Sequence, residues 1–138
     1  MSPRRRVSLT IEGKPVPKGS RVTHRLPNGK IVNREASKRW PSWSRSALEQ
    51  IEAQFDGVTL QPPYRLTADF FFAAPQKPTY PRSGDLDKYL RAVGDLLQMK
   101  AGAASVITDD RGILEIGSAK RYGDPERVEI VVEEIDAL

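Results

Sequence analysis

The chain of 138 residues contains no cysteine and one histidine, His24. Without cysteine there is no disulfide framework, no thiolate zinc site and no thiol nucleophile. A single histidine rules out a two-histidine zinc site, and a Ser-His-Asp triad would have to use His24, which lies in a polar, loop-like stretch. Long apolar runs are missing too. The longest, "FFFAA", is far short of the roughly 20 residues a membrane-spanning helix needs. The opening "MSPRRRVSLTIEGK" is basic with no apolar stretch behind it, so no secretory signal is expected and a cytoplasmic location is. If the chain is an enzyme, its reactive groups are expected to be carboxylates. Carboxylates acting together usually hold a hard divalent cation such as Mg²⁺ or Mn²⁺.

What is present suits one globular domain spanning 1–138, with 38% apolar and 29% charged residues. The net charge of +4 hides an asymmetry. Residues 1–45 hold 12 Lys and Arg against 2 acidic residues, and the remaining 93 hold 10 against 16. A basic first third joined to an acidic remainder suggests one surface that attracts a polyanion beside another that attracts cations.

"RVSLTIEG" alternates Val7, Leu9 and Ile11 with polar residues, the pattern of a half-buried strand. Residues 14–39 are rich in Pro, Gly and charge and too long for a mere connection. "PNGK" can turn a hairpin there between "RVTHRL" and "KIVNRE". Pro41 suits the first turn of a helix whose apolar face is Trp43, Ala47, Leu48, Ile51 and Phe55, with Gly57 as its stop. "YRLTADFFFAA" reads as a well-buried strand, and "ILEIGSAKRY" and "RVEIVVEEI", separated by "GDPE", are expected to form a strand hairpin. The order of elements indicates an α+β fold, with helices packed on a mixed or antiparallel sheet.

The segment "SGDLDKYLRAVGDLL" carries two patterns at once. Leu86, Leu90, Val93 and Leu97 recur as a buried helix face, while Asp87, Arg91 and Asp95 fall four apart on a polar strip. Asp85 precedes the helix, where extended backbone can aim it and Asp87 at one point. An i,i+4 ion-pair ladder with a favourable acidic helix start accounts for the same residues. Downstream, "TDDRG" adds Asp109 and Asp110 ahead of a strand. That pair alone is an ordinary turn. Four carboxylates in one cleft repel each other unless a cation is bound.

"GDLDKYLRAVGDLL" followed by "VITDDRGI" resembles the signature of the RusA family of Holliday-junction resolvases, in which D-x-D-N-L-x-K-x-x-x-D precedes a D-D pair. The amino-terminal "IEGKPVPKGSRV", with a Trp-containing helix after it, is similar to RusA-like proteins of phage origin. The resemblance runs over most of the chain. It implies a homodimeric nuclease of RusA-like fold that binds four-way DNA junctions and cuts them with Mg²⁺ or Mn²⁺. Its essential carboxylates fall on Asp85, Asp87 and Asp110, with Asp109 the alternative to Asp110 because the gap before the pair is a few residues longer here. The family's lysine falls on Arg91, which keeps the charge but cannot lose a proton near neutral pH, and the family's asparagine falls on Lys88.

The expected roles follow from that alignment. Asp85, Asp87 and Asp110 would hold metal, and Arg91 would neutralise charge on the scissile phosphate. Lys14, Lys18, Arg21, Arg25, Lys30, Arg34 and Lys88 would contact the DNA backbone. Asp95 reads either as a surface residue of its helix, the favoured reading, or as a residue supporting the metal-holding carboxylates from behind. Trp40 and Trp43 are suited to stacking on an unpaired base, although Trp43 fits the core better. Two other functions use the same residues: a module that binds junctions without cutting them, and a metal-dependent nuclease acting on flaps, single strands or RNA.

Overall fold

A computed structural model describes residues 4–19, 21–35 and 38–137, with backbone alone for 21–24 and 31–35. In chain order the elements are β1 (Arg6–Glu12), β2 (Arg21–Arg25), β3 (Ile31–Glu35), α1 (Trp40–Gln54), β4 (Tyr64–Phe72), α2 (Leu86–Leu97), β5 (Ile113–Tyr122) and β6 (Arg127–Glu134). Four strands form one mixed sheet in the order β1-β6-β4-β5, and β2 and β3 form a two-stranded sheet of their own. Antiparallel pairing joins β1 to β6 and β6 to β4, whereas β4 and β5 run parallel. The α+β architecture read from the sequence is therefore present as one domain, and its sheet is mixed.

Alternation of apolar and polar residues sets the two sides of the sheet. Val7, Leu9 and Ile11 of β1, every second residue of β4 from Tyr64 to Phe72, and Val128, Ile130 and Val132 of β6 are buried. Helix α1 closes over them with Ala47 and Ile51, and α2 with Tyr89, Val93, Leu96 and Leu97. Trp43 packs at the margin of the same core. On α2 the buried stripe is rotated from the leucine pattern. Tyr89 is 3% exposed, and its ring lies 5.3 Å from that of Phe70 and 5.4 Å from that of Phe72. Leu86 and Leu90 only border the core. The tyrosine displaces them because two phenylalanines on one face of β4 present a wide apolar surface opposite it.

The expected hairpin of the last two strands does not form. β4 lies between β5 and β6. The chain from β5 to β6 passes over the end of β4, where Gly123 N–H donates to Phe72 O at 2.9 Å and the Glu126 carboxylate accepts from Ala73 N–H at 3.2 Å. A Cβ on Gly123 would sit 2.6 Å from the Phe71 ring, so only glycine lets the crossing lie this close. The centre of the sheet goes to the strand with the most apolar surface to bury. β4 supplies it, whereas β5 carries Gly117, Ser118 and Lys120.

The outer edge of β1 is satisfied by side chains rather than by another strand. Gln54 accepts from Thr10 N–H at 2.9 Å and donates to Thr10 O at 2.7 Å, and Gln50 does the same for Glu12 at 2.7 and 3.2 Å. Replacing both glutamines by alanine should cost about 1–2 kcal/mol in chemical denaturation, since these exposed bonds exchange with water. Phe70→Ala, which empties space beneath Tyr89, should cost about 3–5 kcal/mol in the same measurement.

Candidate active site

Helix α2 begins where Gly84, at φ +66°, turns the chain. A Cβ there would meet the Tyr89 hydroxyl at 2.8 Å, and the Gly84 carbonyl accepts from Lys120 Nζ of β5 at 2.8 Å. Asp85 follows in extended conformation as the residue capping α2, yet its side chain makes no capping hydrogen bond. Its carboxylate stays largely exposed, 3.9 Å from Lys88 Nζ. From this start, the turns of α2 carry Asp87, Arg91 and Asp95 to the side that faces β5.

The second acidic pair is positioned by buried neighbours. Val106 and Ile107 are almost fully buried, Ile107 N–H donates to Leu97 O at 3.1 Å, and Leu60 N–H donates to Val106 O at 2.9 Å. The chain then leaves the core into a single 3₁₀ turn, Asp110–Gly112. The two aspartates part company here. Asp109 accepts from Arg111 N–H at 2.8 Å and from the Arg111 guanidinium at 3.0 and 2.8 Å. Asp110 makes no salt bridge among the described residues and borders the cleft.

That cleft, of about 240 Å³, lies between α2 and β5. Asp87, Arg91, Asp95 and Asp110 line it over an apolar floor that includes Leu66, Leu90, Ile113 and Ile116. The ion-pair ladder along α2 is absent: among the described residues Arg91 pairs with neither Asp87 nor Asp95. Asp95 instead holds Lys18 Nζ at 2.7 Å. It is therefore a cleft residue with a partner from another element, not a residue of the open helix surface. Lys18 is anchored three ways, by that pair, by its N–H donating to Lys88 O at 3.1 Å, and by its ammonium lying 4.7 Å from the centre of the Trp40 ring. Buried Val16 holds the segment down just before it. A lysine expected to reach out to DNA is thus bound over the carboxylate strip.

Two carboxylates, Asp87 and Asp110, face one cleft with no salt bridge of their own, a donor set that fits a hard cation. Mg²⁺ is commonly held by one or two protein carboxylates, with water and phosphate oxygens completing its shell. No three acidic or histidine side chains come together at ligating spacing among the described residues. Asp85 lies outside the cleft lining. The trio expected from the resemblance is therefore split, with two members in the cleft and one at the helix start beside it.

The remaining basic candidates are scattered. Lys14, Arg25, Lys30 and Lys88 are exposed. The side chains of Arg21, His24 and Arg34 lie outside the described residues. A second basic and aromatic surface went unread in the sequence. Lys77, Tyr80, Arg82 and Tyr122 line a cleft of about 370 Å³ beside the start of α2, with Tyr80 62% exposed and its ring 5.0 Å from the Arg82 guanidinium. Its sequence signal was "KPTYPR", cations bracketing an aromatic with no apolar neighbour to bury it.

The family described as endodeoxyribonuclease RusA matches residues 12–133. No curated protein matches the chain.

Hydrogen bonds from the Arg111 side chain and then its backbone N–H hold the Asp109 carboxyl down to about 2, from an ordinary value of 3.8. A value depressed in the folded state means that the pair stabilises the fold at pH values above 3.8 and loses that contribution as pH falls towards 2. NMR titration of the carboxyl carbon in metal-free buffer should give a midpoint near 2, and Arg111→Ala should raise it towards 3.8.

Proposed function

The chain belongs to the endodeoxyribonuclease RusA family, and on that premise we propose that it cuts four-way (Holliday) DNA junctions by metal-assisted hydrolysis of a phosphodiester. The observation that carries this reading is the cleft between α2 and β5, where Asp87 and Asp110 arrive from separate elements and Arg91, which forms no salt bridge among the described residues, lines the same cleft. The reaction is expected in the cytoplasm, on cellular or phage DNA. No helix among the described residues is long and apolar enough to cross a membrane.

Asp87 and Asp110 would hold Mg²⁺ or Mn²⁺, with Asp85 completing the set from the helix start and Asp109 kept out of it by Arg111. A bound divalent ion supplies a water activated for attack and stabilises the leaving oxygen. The chain's own residues bind and orient the phosphate. Arg91 presents a guanidinium to the cleft, and its planar fork suits two oxygens of one phosphate. Because it stays protonated at working pH, it acts on charge and moves no proton. Lys18 and Asp95 form a neutral pair next to it, so the ammonium offsets the carboxylate strip without neutralising Arg91's targets. The apolar floor excludes water from one side of the reacting group and strengthens these interactions. Lys14, Arg25, Lys30 and Lys88, with Arg21 and Arg34 of the β2–β3 hairpin, are proposed to follow the DNA backbone. Lys77, Tyr80 and Arg82 offer the same chemistry nearer the cleft. Resolution takes two opposed cuts, which a two-fold homodimer with one cleft per subunit supplies by symmetry.

Asp85→Asn, Asp87→Asn and Asp110→Asn should each abolish cutting of a synthetic junction in Mg²⁺ while junction binding in a gel-shift assay persists. Their thermal midpoints should stay level or rise without metal, because each change lowers repulsion in the cleft. Rates on junction, flap, duplex and single strands, compared in one buffer, decide the substrate. Equal rates on all four would remove junction selectivity, and no cutting at all would leave a binding module.

Arg91 gives a second test. Because Arg91 pairs with neither Asp87 nor Asp95 among the described residues, Arg91→Ala should leave the thermal midpoint nearly unchanged and slow single-turnover cleavage about 10²–10³-fold, the usual loss for one donor aimed at developing charge. Arg91→Lys should retain most activity with the same pH–rate profile. Full activity in Arg91→Ala would take this residue out of the site.

A further inference from the structure

The cleft beside the start of α2 differs from its surroundings in what it leaves unpaired. Around the sheet, Arg65 is matched by Glu115 and Glu133, Arg111 by Asp109, Arg127 by Glu129, and Lys18 by Asp95. Lys77 and Arg82, the two charged residues lining this cleft, form no salt bridge among the described residues, and no acidic residue lines it. The Arg82 guanidinium lies 5.0 Å from the centre of the Tyr80 ring, which stays mostly in water. One exposed tyrosine is ordinary. Here it stands with two free cations and a second tyrosine, Tyr122, around one concavity.

Floor and rim are both held in place. Phe72 and Tyr122 are register partners at the ends of β4 and β5, and both line the cleft. Pro75, Pro78 and Pro81 restrict the backbone on either side of Tyr80. Past Ser83 the chain is tied to β5, where Lys120 Nζ donates to Gly84 O at 2.8 Å. A platform already fixed loses little freedom when a ligand settles on it. The volume of about 370 Å³ is at the small end of ligand pockets, about 300–1,000 Å³, and suits one ring system with its linker rather than a duplex.

We propose that this cleft takes one unpaired base of a DNA strand, stacked on the open face of the Tyr80 ring, with Lys77 and Arg82 on the phosphates beside it. Every base presents a π face to a tyrosine, whereas bases inside a duplex already stack on one another. The cation on one side of Tyr80 orients the ring and keeps its N–H donors for a phosphate. A base has to leave its pair to enter. That costs least where pairing is already interrupted, as at the branch of a junction. The proposal deepens the resolvase reading and rests on it for the source of that base. Position agrees with it: Ser83 lines the cleft and, past Gly84, the chain reaches Asp85 and Asp87. A strand lying by those carboxylates continues towards Tyr80.

In metal-free buffer, where nothing is cut, Tyr80→Ala should weaken binding of a short oligothymidylate about tenfold. Tyr80→Phe should keep full affinity, since the ring and not the hydroxyl stacks. Affinity for plain duplex should be the same with and without Tyr80→Ala. Lys77→Ala and Arg82→Ala should each lower the log–log salt slope of single-strand binding by about 0.7. All four variants should keep the thermal midpoint, because these side chains lie in water. On a synthetic junction, an abasic site moved one position at a time through the branch should reproduce the tenfold loss at one position. There, Tyr80→Ala should add nothing further. A chain that holds no single strand, or holds it as tightly after Tyr80→Ala, overturns the proposal. So do abasic and Tyr80→Ala losses that add at every position. A chain that binds oligothymidylate through Tyr80 and cuts no junction overturns the resolvase reading and leaves the base pocket standing.

Discussion

The burial of Tyr89 against Phe70 and Phe72 sets the geometry of the candidate site. It fixes the rotation of α2 about its own axis. With Tyr89, Val93 and Leu96 turned to the sheet, the strip Asp87–Arg91–Asp95 lies along the cleft shared with β5. The tyrosine also leaves no room for a side chain at residue 84, so the chain turns on glycine and enters the helix with Asp85 extended. An aromatic contact in the core thus decides where a carboxylate at the surface points.

Electrostatics in the cleft follow from that placement. Three carboxylates and one guanidinium line it, and a fifth charge, Lys18, arrives from the amino-terminal segment. Asp95 with Lys18 and Asp109 with Arg111 are each paired within the protein. Asp87, Asp110 and Arg91 form no salt bridge among the described residues. The division is sharp because the paired aspartates have partners that backbone contacts hold in place. Lys18 is tethered by its own amide to α2, and Arg111 by the turn that Asp109 caps. Position 91 on α2 is an arginine, and Lys18 from the amino-terminal segment stands over the same helix.

Among the described residues, the opposite face of the sheet carries no helix. It is lined by paired charges instead: Arg65 with Glu115 and Glu133, Arg121 with Asp69, and Arg127 with Glu129, the last lying over the Phe71 ring. Such a face stays in water without a covering layer. The helices pack against the other face, and α1 then reaches the β1 edge with its glutamines and leaves β5 bare.

Much of this was legible in residue order. Alternation marks β1, apolar content marks β4 and β6, "PNGK" marks the turn between β2 and β3, and Pro41 and the D-x-D segment mark the starts of the helices, since each of these signals acts within a few residues. The carboxylates and Arg91 were nameable only through the family resemblance, since taken alone the helix strip reads as an ion-pair ladder and the Asp-Asp pair as a turn. Order alone did not decide which aspartate of the pair at 109 and 110 is free, where Lys18 goes, or that Asp95 joins the cleft. Those depend on side chains brought together from segments up to 77 residues apart, as Lys18 and Asp95 are. It also suggested pairing the last two strands, because neighbours in sequence pair at the lowest loop entropy. The tertiary structure placed β4 between them instead, because burying its phenylalanines on the helix face outweighs the small entropic advantage of a short hairpin loop.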